Sequence, residues 1–205
     1  MACSAKFLLL LLLSISFYIN SSLAARNLIQ TTNTDFLRTS CAKTTYPKLC
    51  YSSLSVHATT FQTSPKLLAN TALSVTLSSA KSASEMMLKL AHSQGINLRQ
   101  AAAMRDCIEL LRDSADEIRR SINKMGNTKE SDFQLMINDV QTWVSAALTD
   151  ESTCSDGFAG KAMNGNVKNS VREQVVNIGH LTSNALALIN NYASLHEIFL
   201  LLVCL

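Results

Sequence analysis

The chain has 205 residues, of which 47% are hydrophobic and only 16% charged, a balance too apolar for a disordered polypeptide. Six glycines and two prolines make up about 4% of it, roughly a third of the usual share, and a turn-rich sandwich or barrel cannot make its corners with so few. A formal net charge of +3, with no basic stripe, gives no surface for nucleic acid.

The first two dozen residues read as a secretory signal. Lys6 supplies the positive start, Phe7 to Leu13 is an unbroken apolar run, and Ser22-Leu23-Ala24-Ala25 offers small residues for cleavage. The apolar core is shorter than the ~20 residues of a membrane span. Residues 1–25 are therefore expected to be removed, which takes Cys3 and Lys6 and leaves 17 basic against 15 acidic residues. Cys41, Cys50, Cys107, Cys154 and Cys204 remain, and export to an oxidising compartment predicts that four of them pair. The sequon Asn20-Ser21-Ser22 falls inside the signal, so no N-glycan is expected.

Residues 26–63 are expected to hold an N-terminal extension and a helical hairpin. Its two short helices run from Thr34 to about Cys41 and from Tyr46 to about His57, with Pro47 in the first turn of the second. Ser64-Pro65 reads as an N-cap followed by proline at the first helical position, opening a long helix that runs to Gln94 and stops at Gly95. A second long helix spans about Leu98 to Met125 and is expected to stop at Gly126. Its row Ile108, Leu111, Ala115, Ile118, Ile122 and Met125 steps by three and four. A third opens at Ser131-Asp132 and carries Phe133, Met136, Val140, Trp143, Val144, Ala147 and Leu148 on one face, which predicts a buried Trp143. The fourth carries Val167, Val171, Val175, Ile178, Thr182, Ala185, Ile189 and Tyr192. The expected fold is all-α: the hairpin, then an up-down-up-down four-helix bundle over residues 64–192.

Four cysteines allow three pairings. A local Cys41–Cys50 bridge and a Cys107–Cys154 bridge between neighbouring helices fit this arrangement best. The latter would close a loop of 48 residues, worth about 4 kcal/mol by chain entropy.

No constellation for catalysis or metal binding is present. His57, His92, His180 and His196 have no acidic residue three positions before them, so the inward Glu-x-x-His pairs of a bundle metal site are missing. Phosphate-binding glycine patterns and a Gly-x-Ser-x-Gly elbow are also missing. No cofactor, no metal and no enzymatic activity are expected. Asp106, Glu109, Asp113, Asp116 and Glu117 recur on the second long helix, interleaved with Arg105, Arg112, Arg119 and Arg120. Such a row is ordinarily a solvated, salt-bridged face. The methionines at 86, 87, 104, 125 and 136 sit in apolar rows, as core filler does.

The segment from Val140 through Ser145-Ala146-Ala147-Leu148-Thr149 and Thr153-Cys154-Ser155-Asp156-Gly157-Phe158 resembles the hallmark of the plant invertase/pectin methylesterase inhibitor family. The early Cys41 and Cys50, Cys107 in Met104-Arg105-Asp106-Cys107, and the closing Leu181-Thr182-Ser183-Asn184-Ala185-Leu186 fit the same pattern over about residues 34–192. The resemblance implies a hairpin plus four-helix bundle with disulfides Cys41–Cys50 and Cys107–Cys154. It implies a secreted, apoplastic, free-standing monomer that binds pectin methylesterase one-to-one and covers its pectin-binding cleft. Invertase is the alternative target, because some members inhibit it, and a non-inhibitory interaction bundle is the second alternative. The Cys-Ser-Asp-Gly-Phe form at 154–158 is nearer to the pectin methylesterase side of the family. Carried over position by position, the family's contacts fall on Met104, Glu109, Asp113, Thr153 and Asp156, with Met104 replacing an aromatic residue often found there. Carboxylates at such an interface predict pH-dependent affinity. Residues 193–205 continue past the family's usual end as an apolar tail with Cys204, too short to span a bilayer and of no assigned role.

Overall fold

A computed structural model describes residues 31–93, 95–159 and 165–203; the segment expected to be a secretory signal, and Cys204, lie outside them. Among the described residues there are helices and turns and no strand. Helix α1 covers residues 31–41 and α2 Pro47–Leu54. A single 3-10 turn, Ser55–His57, leads into the short α3, Ala58–Phe61. The bundle consists of α4 (Pro65–Ala91), α5 (Leu98–Asn127), α6 (Phe133–Gly157) and α7 (Asn166–Val203). Helix α4 packs on α5 and α7, and α6 packs on the same two, so the four occupy the corners of a square in up-down-up-down order.

Local chemistry accounts for most helix ends. Ser64 Oγ accepts from the Leu67 N–H at 3.3 Å, with Pro65 next in the first turn. Asn97 and Gln100 form a reciprocal capping box at the start of α5, with bonds of 2.9 and 3.1 Å. Gly95 takes a φ of +87°, a conformation that favours glycine, after α4 has ended at Ala91, three residues short of the expected last residue, Gln94. Gly126 does not end α5. The helix runs on to Asn127, and the Thr128 hydroxyl bonds back to the Lys124 carbonyl at 2.6 Å, closing the last turn beyond the glycine.

Cys41 and Cys50 are bonded, with Cα atoms 5.6 Å apart, and hold α1 against α2. Asn184 of α7 then clasps the hairpin. Its Oδ1 accepts from the Tyr46 N–H at 2.9 Å, and its Nδ2 donates to the Tyr46 carbonyl at 3.0 Å. The Tyr46 ring stacks on His180, centroids 3.7 Å apart. Asn33 Nδ2 donates to the Ala58 carbonyl at 3.2 Å, closing the other end of the hairpin.

The core falls into two apolar clusters. One lies at the hairpin end, around Leu37, Phe61, Leu73, Ile118, Val140 and Leu188. The other surrounds the second disulfide and includes Met87, Met104, Leu111, Phe158, Val175 and Ile178. Between them, in the sequence of every bundle helix, sits a buried polar residue: Thr76 on α4, Ser114 on α5, Glu151 on α6 and Thr182 on α7. Core helices tolerate such groups only when they are hydrogen-bonded, and here they bond one another or the backbone. Ser114 and Thr182 hydroxyls donate to Glu151 Oε1 at 2.8 and 2.9 Å, and Thr76 donates to the Ala72 carbonyl at 3.0 Å.

Trp143 is not in the core. Val140, Val144 and Ala147 form the inward row of α6, and the indole stands at the edge of that row, where it lines a groove shared with Arg120 and Lys124 of α5. Helix α7 continues without a break into the tail. Its length and apolar composition alone would suffice to cross a membrane, yet Val171, Val175, Ile178, Ala185 and Ile189 are core residues of the bundle. The tail is attached through His196, which stacks on Phe133 with centroids 3.5 Å apart and hydrogen-bonds Glu130. Beyond it, Ile198 through Leu202 are exposed.

Candidate functional site

The Cys107–Cys154 disulfide, with Cα atoms 4.6 Å apart, fixes the early part of α5 against the end of α6. A groove of about 240 Å³ runs beside it, lined by Arg99, Asp106 and Leu110 from α5 and by Thr153 and Gly157 from α6. Of the five expected contact residues, Thr153 lines this groove. Glu109 and Asp113 are exposed on α5, and Thr153 and Asp156 are exposed on α6. Thr153 borders the α5 side of α6, whereas Asp156 borders a second hollow between α6 and α7, beside Ser155 and His180.

Met104 differs from expectation. Its side chain is fully buried among Met87, Cys107 and Ile108, so it supports the surface from beneath and presents nothing to a partner. Its position three residues before Cys107 turns it inward with the disulfide.

The acidic row of α5 is also divided. Asp116 pairs with Arg119 and lies with Arg112, Lys81 and Glu85 in the groove towards α4. Asp113 and Glu117 instead lie within the field of Asp150 on α6. Burial raises the Glu117 carboxyl above its ordinary range; Asp150 and Asp113 add to this and Arg120 opposes it. Asp150 is raised as well, first by burial and then by Asp113. On the α5–α6 face Glu117 and Asp150 therefore gain protons more readily than isolated carboxyls do, and the charge of Asp113 contributes to both shifts.

Behind them lies a residue that the sequence reading missed. Glu151 is only 1% exposed, and burial pushes its carboxyl up to about 7 despite the opposing hydrogen bonds from Thr182 and Ser114. Its Oε2 is buried without a hydrogen-bond partner, the environment of a neutral acid and not of an ion. The signal was present in the spacing: Val140, Val144, Ala147, Glu151, Cys154 and Phe158 step by four, three, four, three and four, all of them buried. Among the described residues no group of three or more His, Cys, Asp or Glu side chains is placed to hold a metal ion. The arrangement offers a rigid, polar helix surface and no reacting constellation.

Residues 35–188 match the family model described as plant invertase/pectin methylesterase inhibitor. The chain belongs to that family. Within it, the chain is 50% identical over 165 residues to a "21 kDa protein" of Daucus carota, covering 79% of this chain and 86% of the relative. It is 44% identical over 191 residues to pectinesterase inhibitor 11 of Arabidopsis thaliana, covering 91% and 95%. In fold it is similar to the crystal structure of a mutant form of a pectin methylesterase inhibitor from Arabidopsis, with a TM-score of 0.60 and 22% identity, over 73% of this chain and 92% of that one. The family's helical bundle with two disulfides is thus the architecture found here.

Proposed function

We propose that this chain is a secreted inhibitor of pectin methylesterase, acting in the plant cell wall by covering the enzyme's pectin-binding cleft in a one-to-one complex. The reading rests above all on the 44% identity, over 95% of its length, to a relative named as a pectinesterase inhibitor. The structure is compatible in chemical terms. Two helices cross-linked by a disulfide form a surface that loses little freedom on binding, which is what a tight, rigid inhibitor needs. Exposed Glu109, Asp113, Thr153 and Asp156 are the contact residues in this reading, and buried Met104 is their support. In this reading inhibition consists of occupying the cleft.

Titration of the mature chain against a pectin methylesterase, with ester hydrolysis as the readout, tests the proposal. Stoichiometric loss of activity at a one-to-one ratio is expected. Unchanged ester hydrolysis at excess inhibitor overturns it, and loss of sucrose hydrolysis in a parallel titration of invertase would reassign the target.

A further inference from the structure

The last turns of α5 and the first turns of α6 flank an open groove of about 570 Å³, within the size range of small-ligand sites. Lys124, which lines it, is 17 residues from Cys107 along α5, roughly 25 Å at the rise of a helix, so the groove is separate from the disulfide-linked face. Arg120, Lys124 and Lys129 bring three cations to it, Asn123 and Asn127 two amides, and Trp143 an indole. The acidic groups nearby are Asp132, which lines the groove, and Asp139, which pairs with Lys124 Nζ at 2.7 Å. Arg120 also feels Glu117 further up α5.

Each of these groups selects a different feature of a ligand. Guanidinium and ammonium groups recognise carboxylates. Side-chain amides both donate and accept, as a rim of hydroxyls requires. An indole supplies a broad apolar surface with a polar edge, and the C–H face of a pyranose ring is its natural counterpart. Nucleic acid is a poorer match, because successive bases stack on successive aromatic side chains and Trp143 is the only aromatic residue lining the groove. We propose that the α5–α6 groove binds a short stretch of anionic polysaccharide, a run of uronic acid residues. The class, an acidic saccharide, follows from the groove alone. The choice of uronate rests on the target proposed above, whose hydrolysis of methyl esters leaves a polyuronate. An inhibitor with this site would be retained on the product of the enzyme that it restrains.

Trp143 is the only tryptophan in the 205 residues, so tryptophan fluorescence, excited selectively over that of the four tyrosines, reports on this groove. The mature chain is titrated with a galacturonic acid hexamer, its fully methyl-esterified counterpart and a single-stranded DNA of equal charge, with calorimetry in parallel. A saturable fluorescence change with the acidic hexamer is expected, at least tenfold weaker for the ester and for the DNA. The double variant Arg120→Gln/Lys129→Gln should bind at least tenfold more weakly with an unchanged melting temperature. Absence of saturable binding at millimolar hexamer, equal binding of the ester or the DNA, or full binding by the double variant each overturns the proposal. No enzyme is present in the titration, so its failure leaves the inhibitory reading intact; a failed inhibition assay would remove the ground for choosing a uronate but leave the groove's fit to an acidic saccharide, which the titration reads directly.

Discussion

Ser114 on α5 donates a 2.8 Å hydrogen bond to Glu151 on α6 in the middle of the bundle, where both side chains are sealed from solvent. Together with Thr182 this layer separates two otherwise continuous apolar cores. A polar layer of this kind specifies how helices align, because sliding one of them by a turn would leave the carboxyl facing only hydrocarbon.

It also makes stability depend on pH. The Glu151 carboxyl is raised from an ordinary 4.5 to about 7 in the folded chain, so between those values the folded state holds a proton that the unfolded state has lost. Stability is therefore greatest below the lower value and declines as pH rises towards 7, by about 3 kcal/mol in all. Thermal unfolding by circular dichroism should give a melting temperature roughly 5–10 °C higher at pH 5 than at pH 7.5. Glu151→Gln should remove most of that difference. An equal decline in both proteins would show that the dependence has another origin.

Asp113 is exposed, and its charge raises the carboxyls of Glu117 and Asp150. Asp113→Asn should weaken inhibition on the order of tenfold, the scale of one interfacial polar contact. It should also lower both neighbouring pKa values, moving the pH profile of the inhibition constant to more acidic pH. Potency measured from pH 5 to 7.5 in both proteins checks this, and superimposable profiles would remove Asp113 from the interface.

Thr153 borders the groove beside the disulfide without being part of the core. Thr153→Arg adds bulk where the enzyme is proposed to sit, and a loss of potency of tenfold or more is expected, with melting unchanged. Full potency would displace the contact surface from this groove.

Met104 separates support from contact. Removing a fully buried methionine side chain leaves a cavity and costs about 2–4 kcal/mol. Met104→Ala should melt several degrees lower, while inhibition well below that temperature is retained within a few-fold. Loss of inhibition with unchanged melting would place the residue at the interface after all.

The second cross-link can be tested in the same way. Cys107→Ser/Cys154→Ser opens a loop whose ends are 47 residues apart in sequence, and the chain-entropy relation assigns about 4 kcal/mol to its closure. Urea denaturation should show a loss of that order. A loss below 1 kcal/mol would mean that packing of α5 on α6 already fixes the joint.

Periodicity and capping chemistry made the helices legible from the residues. Ser64-Pro65 and the three-and-four step of α5 needed no tertiary knowledge, because the local rules and the bundle agree. The misreadings occurred where two local signals compete. Gly126 looks like a terminator, but the Thr128 hydroxyl closes the turn two residues later. Trp143 has the hydrophobicity of a core residue, yet Val140 and Val144 occupy the inward positions. Glu151 was hidden by composition: a lone acid in an apolar row reads as surface until its hydroxyl partners, 37 positions before it and 31 after it, are brought alongside. The candidate surface was less legible than the fold, since an exposed carboxylate carries the same spacing whether it faces water or a partner.

The clasp between Asn184 and Tyr46 joins positions 138 apart. As the chain emerges from the ribosome, the hairpin is complete long before the helix that secures it exists. Its Cys41–Cys50 pair, nine residues apart, can close early, but the Tyr46 backbone has to wait for nearly the whole domain to be synthesised. Docking of the hairpin thus waits for arrival of the last bundle helix, and a chain ending before Asn184 would lack the clasp that secures it.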